Sequence, residues 1–314
     1  MGSLTGFTVI ELAGIGPAPM GGMILADMGA NVIRVERPGA VDPKLSEPIS
    51  GRGKKSVVLD LKQKEGLEAM LTLIENADAL IDPYRPGVCE KLGLDPEVCL
   101  KRNQKLVFAR VTGWGQHGSL SQSAGHDLNY IAITGALHAI GRKGGLPAVP
   151  LNLIGDFGGG GMLLVNGILG ALLEATNSGR GQVIDVAMVD GTAQLMWMMH
   201  SFQQQGIWDD NQRESNLLDG GAHFYNTYEC AGGGYIAIGA IEPKFYGLLL
   251  EKTGVVDPQF HSQHDSCQWP ELKQKLATVI ATKTRDEWCQ IMEGSDACFA
   301  PVLTMTEAME YVPN

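Results

Sequence analysis

The chain has 314 residues, of which 44% are hydrophobic and 19% are charged, and its formal net charge is −11. A chain of this length is expected to form one large domain or two of unequal size, with ample apolar material for a core. Acidic and basic residues balance over positions 1–110, so the net negative charge lies in the remainder. This distribution excludes the basic surface typical of nucleic-acid binding, although a local cationic cluster can still receive an anionic ligand.

Neither membrane insertion nor secretion is expected. No apolar run is long enough for a membrane span, and the amino terminus leads straight into a strand-like segment without a secretory signal. The six cysteines have no CxxC spacing, which indicates reduced thiols rather than a disulfide framework or a zinc site. The sequence therefore predicts an intracellular protein.

The first 110 residues alternate between short apolar strands and helices. Strands are predicted at 8–12, 31–35, 56–61, 79–82 and 106–111. Helices are predicted at 20–28, 62–76 and 96–103. This alternation predicts an α/β fold whose large domain contains a doubly wound, mostly parallel sheet.

The first βαβ unit has the layout of a dinucleotide-binding fold, with glycines in its first turn and Glu36 at the end of its second strand. A G-x-G-x-x-G fingerprint would need glycine where the chain has Pro19, and Pro17 removes another backbone donor. A plain βαβ unit with a tight turn is therefore favoured over a nicotinamide or flavin site.

The rest of the chain predicts a second, smaller α+β domain. An apolar helix at 157–176, a strand at 181–187 and a helix at 190–205 complete a large domain that spans 1–208. A polar, glycine-bearing linker is predicted at 209–224. The small domain, 225–305, is predicted to contain strands at 225–230, 235–239 and 298–303 and helices that begin at Pro243, Pro270 and Thr284.

Two groups of cations adjoin predicted strands in the neutral part of the chain. Arg52, Lys54 and Lys55 lie on a glycine-rich turn before the third strand, and Arg85 follows the fourth. Ligands of α/β sheets bind beyond the carboxyl ends of the strands, and such cations suit phosphate groups. These residues are candidate contacts to a phosphate-bearing ligand, with a solvated loop as the alternative for the first group.

His126, Asp127 and Asp156 are the candidates for acid/base chemistry, and Asp156 opens onto four consecutive glycines. Histidine carries protons reversibly near neutral pH, and a helix start keeps a carboxylate ionised. One base on each face of a carbon acid allows deprotonation on one face and reprotonation on the other, while a helix N-terminus stabilises the enolate oxygen. The alternatives are structural: a buried imidazole for His126 and a helix N-cap for Asp156.

Several stretches of the chain resemble the family III CoA-transferase superfamily, and within it most closely the racemases that act on 2-methylacyl-CoA thioesters. The stretches include GFTVIELAGIGPAPMGGMILADMGANVIRVERPG, AGHDLNYIAITG, PLNLIGDFGGGGM, NLLDGGAHFYNTYE and IGAIEPKFY. The similarity runs from residue 4 to about residue 303. A match over so many segments is more specific than any single motif.

The resemblance implies 1,1-proton transfer at C2 of a 2-methylacyl-CoA thioester, with no metal or redox cofactor. The two acid/base groups would be His126 in GHDLNY and Asp156 in GDFGGGG. Glu242 in AIEP would orient the imidazole of this histidine or favour its protonated form. Asp127 would support the histidine as its neighbour in sequence. The family forms an interlocked homodimer with sites shared between subunits, so Glu242 is expected to reach His126 of the partner subunit.

The resemblance also implies contacts to CoA and a position for the thioester oxygen. This oxygen is expected near the backbone N–H of Asp127 or at the helix start of Asp156. Arg52 and Lys54 are further CoA candidates from charge alone. The CoA contacts that carry over from the family are Arg37, Val58, Leu59, Asp60, Leu61, Arg85, Gly125, Leu128, Asn129 and Tyr130.

Two other functions are compatible with the same stretches. The superfamily contains CoA-transferases in which an aspartate at the position of Asp156 is a covalent nucleophile. His126 favours the racemase, because the transferases are not expected to supply that base. The third hypothesis, an inactive CoA-binding protein, is disfavoured by the presence of His126, Asp156 and Glu242 together.

Racemases of this family continue past the last predicted strand and return to the large domain. Residues 306–314 are therefore interpreted as the start of a return segment, and loss of the rest is expected to weaken stability. The resemblance places such a protein in the cytoplasm of a bacterium, or in the peroxisome or mitochondrion of a eukaryote.

Overall fold

The computed structural model describes residues 2–39 and 49–312. The chain divides into two compact units, one of Met1–Leu137 and Val149–Met198 and the other of His138–Ala148 and Met199–Asn314. Positions 313–314 of the predicted return segment lie outside the described residues.

This division differs from the predicted domain boundaries in three respects. The first unit ends at Met198, whereas the large domain was predicted to end at 208. Residues 138–148, predicted within the large domain, belong to the second unit. The segment 209–224 is not a separate linker, because its residues His223 and Phe224 are fully buried in the second unit. The segment was predicted as a linker because its overall composition is polar, although these two side chains are buried.

A six-stranded sheet forms the centre of the first unit. Its strands are β1 (Thr8–Leu12), β2 (Asn31–Glu36), β3 (Lys54–Val58), β4 (Ala79–Asp82), β5 (Val107–Thr112) and β6 (Val183–Ala187). Their order is β3-β2-β1-β4-β5-β6, and all neighbouring pairs are parallel. The chain thus reverses its direction of winding after β3, which confirms the predicted doubly wound sheet.

Helices cover both faces of this sheet, because successive strand residues point into two different apolar cores. Val9 and Ile81 pack into one core, and Ile10 and Leu80 pack into the other. The helices are α1 (Pro17–Asp27), α2 (Lys64–Glu75), α3 (Val88–Lys91), α4 (Pro96–Arg102), α5 (Asp127–Ala132), α6 (Ala136–Ala139), a π-helix (Leu153–Met162), α7 (Leu163–Ser178), α8 (Met188–Leu195) and α9 (Trp197–Gln204). The chain passes between the units at three points: within α6, after Ala148 and within α9.

The second unit is a small α+β structure, as predicted. Its strands β7 (Tyr225–Glu229), β8 (Tyr235–Gly239) and β9 (Phe299–Val302) form an antiparallel sheet in that order. Thr284, the predicted helix start, forms a capping box with Glu287. The helices are α10 (Pro243–Thr253), a short 3₁₀ helix (Pro258–His261), α11 (Trp269–Ile280), α12 (Arg285–Met292) and α13 (Met305–Glu310).

The predicted apolar helix at 157–176 begins earlier than expected. The chain is helical from Leu153, first in π geometry and then as α7. By length and composition, Leu153–Ser178 is apolar enough to cross a membrane. Side chains such as Leu164 and Ile168 belong to a core on the sheet, and this packing accounts for the apolar composition. The predicted helix at 190–205 is two helices, α8 and α9.

A buried ion pair joins β1 to β3. The Lys54 ammonium lies 2.6 Å from the Glu11 carboxylate and 2.9 Å from the Pro19 carbonyl oxygen, and both charged side chains are almost inaccessible. A Cβ at Gly22 would lie 1.9 Å from Glu11 Oε2, so only glycine leaves room there. Burial raises the pKa of Glu11, and Lys54 and Arg34 oppose that rise. The charge of Lys54 therefore has a structural role, because it neutralises the buried Glu11 carboxylate.

We expect Lys54→Met to lower the free energy of unfolding by about 3 kcal/mol, because the buried Glu11 carboxylate would lose its hydrogen-bonded counter-charge and keep only Arg34, 3.9 Å away. Lys55→Met is the matched control, since Lys55 is exposed and contacts only the Asn31 side chain oxygen among the hydrogen bonds described. Its loss should stay below about 1 kcal/mol. Urea unfolding followed by circular dichroism measures both, and equal losses would contradict a structural role for the pair.

Candidate active site

A cavity of about 250 Å³ opens in the first unit at the carboxyl edge of the parallel sheet. Ligands of doubly wound sheets bind at this edge. His126 and Asp156 both line the cavity, so the fold brings these two predicted residues together. The lining residues are Ile15, Gly16, Pro17, Pro83, Tyr84, Arg85, Pro86, Val111, Thr112, Gly113, Trp114, Ser121, Ser123, Gly125, His126, Tyr130, Asp156 and Met188.

His126 is held by its backbone as the N-cap residue of α5. Its N–H donates to Asn129 Oδ1 over 3.1 Å, and its carbonyl oxygen accepts the N–H groups of Asn129 and Tyr130. Tyr130 in turn donates its hydroxyl hydrogen to the Gly125 carbonyl oxygen and packs edge-on against Trp114, with ring centroids 4.8 Å apart. The backbone of His126 is fixed in this way, while its side chain is exposed at the cavity.

Asp127, the next residue, connects this loop to the π-helix. It is only 4% exposed, and its Oδ2 accepts the N–H groups of Gly155 at 2.6 Å and Asp156 at 2.8 Å. The first N–H groups of a helix have no partner inside that helix, so Asp127 caps the π-helix from another segment. The positive ends of α5 and the π-helix also favour the carboxylate between them. One side chain thus joins the backbones that carry His126 and Asp156.

Asp156 lies in the first turn of the π-helix, which corrects its predicted position before a helix. It is partly buried, and burial raises the pKa of its carboxyl group. The Asn152 side chain donates a hydrogen bond to Asp156 Oδ2 over 3.1 Å and opposes this rise, as His126 does, whereas Asp127 adds to it. A carboxyl group with a raised pKa beside a cavity is suited to acid/base catalysis.

The glycines after Asp156 allow α8 to pack directly on the π-helix. A Cβ at Gly159 would lie 2.8 Å from the Thr192 backbone nitrogen, and a Cβ at Gly191 would lie 2.0 Å from the Gly159 carbonyl oxygen. The last three glycines of the run are buried in this helix packing. A π-helix is rare and occurs preferentially at functional sites, where it displaces a side chain from the regular α-helical path.

Two of the predicted cations lie at the same edge of the sheet as the cavity. Arg85 lines the cavity and acts electrostatically on Tyr130. Arg37 follows β2 and acts on Tyr84, whose side chain also lines the cavity. Burial raises the pKa of both tyrosines, and each arginine opposes that rise. An anion contact of Arg85 and Arg37 stays a prediction.

The predicted CoA contacts that follow β3 lie outside the cavity lining. Val58 ends the strand and is 53% exposed, while Leu59 and Leu61 pack on a core of the sheet. Asp60 accepts the N–H of Lys62 through Oδ1. These residues sit at the carboxyl edge, and their side chains do not converge on the cavity with those of the acid/base pair.

The predicted contacts around α5 divide into two groups. Gly125 and Tyr130 line the cavity. Leu128 and Asn129 are exposed on the helix, and Asn129 uses its side-chain oxygen to hold the His126 backbone. For these two residues a contact with CoA stays a prediction.

Arg52 and Lys54 are not supported as anion contacts. Arg52 precedes β3, at the amino edge of the parallel sheet, and its guanidinium donates two hydrogen bonds to Asp27. Lys54 is buried against Glu11. Their acidic partners lie 25 and 43 residues away in sequence, so the charge count of the local stretch could not reveal that both cations are already neutralised.

Glu242 lies in the second unit, where it is exposed and is the N-cap residue of α10. Pro243 follows it at the first helical position, where a proline starts a helix without losing a hydrogen bond. The contact of Glu242 with His126 of the partner subunit stays a prediction.

Asn152 and Tyr84 were not predicted as residues of the site. Asn152 is the N-cap residue of the π-helix. Asparagine is a preferred N-cap residue, and this preference is the one sequence signal for Asn152.

Within residues 2–39 and 49–312, no group of three or more His, Cys, Asp and Glu side chains is arranged to hold a metal ion. The cavity combines two proton-carrying groups with arginines at its edge.

Comparisons with known proteins place the chain in one family. The model of CoA-transferase family III matches residues 4–312. The chain is 50% identical to an alpha-methylacyl-CoA racemase of Mus musculus and 47% identical to that of Homo sapiens. Each match covers 99% of this chain and 80% or 81% of the relative. A probable fatty acyl-CoA transferase of Mycobacterium tuberculosis is 31% identical over 95% of this chain and 82% of its own length.

Solved structures share the fold. The crystal structure of Rv3272 from M. tuberculosis matches with a TM-score of 0.82 and 29% identity, over 99% of this chain and 85% of that one. A CaiB/BaiF family protein from Brucella suis matches with a TM-score of 0.80 and 25% identity, over 99% of this chain and 86% of that one. The architecture described above is therefore the architecture of this family.

Asp127→Ala should lower the free energy of unfolding by about 2 kcal/mol, because two buried N–H groups lose their acceptor. Asp127→Asn is the matched control, since it keeps one side-chain oxygen as acceptor and should retain most of the stability. Amide hydrogen exchange localises the effect: exchange at Gly155 and Asp156 should be faster in the alanine variant alone. Unchanged protection of these amides in Asp127→Ala would show that the cap is not what holds them.

Proposed function

The chain belongs to CoA-transferase family III, and we propose that it acts as an α-methylacyl-CoA racemase, an isomerase that interconverts (2R)- and (2S)-2-methylacyl-CoA thioesters. Identities of 50% and 47% to racemases over 99% of the chain support this activity. The observation that carries the proposed mechanism is that His126 and Asp156 line one cavity.

The proposed reaction is a 1,1-proton transfer with two bases. The deprotonated member of the pair takes the C2 proton of one epimer, and the electrons of the C–H bond move into an enolate of the thioester. The protonated member then gives a proton to the opposite face of C2 and forms the other epimer. Exchange with solvent restores both groups, and the reverse reaction uses them in opposite roles.

The enolate oxygen requires a hydrogen-bond donor. The N–H groups of Gly155 and Asp156 are already bound by Asp127, so the second of the two expected positions is occupied. We therefore favour the backbone N–H of Asp127, which begins α5 and has no acceptor within that helix. In this proposal the backbone N–H of Asp127 donates a hydrogen bond to the enolate oxygen, and its side chain caps the π-helix.

The CoA moiety is proposed to lie along the carboxyl edge, with its phosphates near Arg37 and Arg85. The reaction moves only protons, so the proposal contains no redox cofactor and no metal. The proposed location is intracellular: the cytoplasm if the source is bacterial, and the peroxisome or mitochondrion if it is eukaryotic.

The proposal includes an interlocked homodimer in which Glu242 reaches His126 of the partner subunit. A carboxylate beside an imidazole orients the ring and favours its protonated form. The exposed position of Glu242 at the start of α10 is compatible with such a contact.

A CoA-transferase is the alternative within the same family. Asp156 would then attack the acyl carbonyl as a nucleophile instead of taking a proton. The imidazole of His126 in the same cavity favours proton transfer. The sequence identities point the same way, at 50% to a racemase and 31% to the probable fatty acyl-CoA transferase.

Incubation of each pure 2-methylacyl-CoA epimer in D₂O separates the two reactions when it is done with and without a second carboxylic acid. The racemase predicts deuterium at C2 and loss of configuration from both epimers, whether or not the acid is present. Transfer of CoA to the added acid without deuterium at C2 would establish the transferase and overturn the proposal.

The two bases should act on different epimers. Asp156→Asn is expected to slow deuterium exchange from one epimer by about 100-fold or more and His126→Ala to do the same for the other, because each variant lacks one proton acceptor. The initial exchange rate of each epimer, measured separately, gives the comparison. Equal losses from both epimers in both variants would contradict the assignment of one base to each face.

Mixing two inactive variants tests whether the site is shared between subunits. If Glu242 serves His126 of the partner subunit, a heterodimer of His126→Ala and Glu242→Gln chains has one intact site and one doubly altered site. Denaturation and refolding of the mixed variants should then restore about a quarter of the wild-type activity. If both residues act within one subunit, every site in the mixture carries one change and no activity returns.

A further inference from the structure

Asn152 is the one described residue whose side chain donates a hydrogen bond to the Asp156 carboxylate. Its Nδ2 lies 3.1 Å from Asp156 Oδ2. Among residues 2–39 and 49–312, no residue donates a hydrogen bond to Oδ1. The two oxygens of this carboxylate are therefore not equivalent.

The backbone around Asn152 is shaped to hold it at the start of the π-helix. Asn152 is the N-cap residue of that helix, yet its side chain bonds Asp156 instead of a backbone N–H. Leu151, just before it, has φ of 60° and is 71% exposed. A leucine in the left-handed region is strained, and strain of this kind persists where the surrounding structure requires that geometry.

Gly16 completes the surroundings of the bonded oxygen. It has φ of 67°, and a Cβ there would come within 3.2 Å of Asp156 Oδ2. A larger residue would push against this oxygen and disturb its bond to Asn152. Glycine at position 16 thus leaves room for Oδ2 in the place where Asn152 bonds it.

We propose that Asn152 is a positioning residue for Asp156: its amide fixes Oδ2, so that Oδ1 is the oxygen that takes the proton from C2 of the substrate. This inference rests on the proposed racemase activity and assigns a role to a residue that does not itself touch the reacting carbon. An amide donor also stabilises a carboxylate over a carboxylic acid.

The charged groups around Asp156 set the sign of the expected pH effect. Burial raises the pKa of Asp156, the Asn152 amide and His126 lower it, and Asp127 raises it. Tyr130 faces it from α5. The helices α1 and α8 also pack on the π-helix; Asp27 of α1 is bonded to Arg52, and Asp190 of α8 is exposed. Removal of the Asn152 amide therefore moves the pKa of Asp156 upward.

The test is the pH dependence of deuterium exchange from each epimer in Asn152→Ala. For the epimer that Asp156 deprotonates, the acid limb should shift by about one pH unit to higher pH, so exchange on that limb falls about tenfold. Asn152→Ser, which can still donate, should recover part of the shift, and Asn166→Ala, exposed on α7, should behave as wild type.

A direct titration separates this inference from the activity on which it rests. The carboxyl carbon of Asp156, identified by its loss in Asp156→Asn, is followed by carbon-13 NMR from pH 3 to pH 9. A higher midpoint in Asn152→Ala than in the wild type supports the role of Asn152 whatever the reaction is. An unchanged midpoint, or equal slowing of both epimers at every pH without a shift, would overturn it. Absence of wild-type exchange from either epimer would overturn the racemase proposal instead.

Discussion

The hydrogen bonds from Gly155 and Asp156 to the Asp127 carboxylate determine how the two proton-carrying groups are related. A buried carboxylate is costly unless it is hydrogen-bonded, and each bond to a charged group contributes about 1.5–3 kcal/mol. Two N–H groups at a helix start supply those bonds. Because Asp127 follows His126 directly, any change in this contact moves one group relative to the other.

The rest of the first unit supports this contact from the sheet outward. Parallel strands bring the loops after β1, β4 and β5 to one edge. The buried glycines of the π-helix let α8 pack against it at backbone distance, which holds the helix that carries Asp156. The buried pair of Lys54 and Glu11 ties β3 to β1 without presenting its charge to the cavity. Stability and proton transfer thus rely on different charged residues.

Much of the architecture could be predicted, because it depends on local patterns. Alternating apolar strands and helices predicted the doubly wound sheet, and short strands with three helix-start residues predicted the second unit. The two units differ from the predicted domains because residues 138–148 join the second unit through contacts distant in sequence, such as the hydrogen bonds of Arg142 with Glu214 and Asn226. Composition cannot report contacts of this kind.

The sequence marked the two candidate acid/base residues of the site. It was less informative about the residues around them. His126 and Asp156 stand out because a histidine and a carboxylate flank glycine-rich loops. Arg52 and Lys54 looked equally suitable for an anion, and only the folded chain brings them to Asp27 and Glu11. Asn152 gave little signal, since its role depends on π geometry, which has no simple sequence pattern.

The central claim is that His126 and Asp156 face one carbon from opposite sides. A crystal structure with a bound 2-methylacyl-CoA analogue whose C2 is planar, as in the enolate, tests it most directly. The account predicts a ring nitrogen of His126 and a carboxylate oxygen of Asp156 at about 3–3.5 Å from C2, one on each face. A complex with both groups on one face, or with Asp156 aligned on the carbonyl carbon and His126 out of reach, would contradict it.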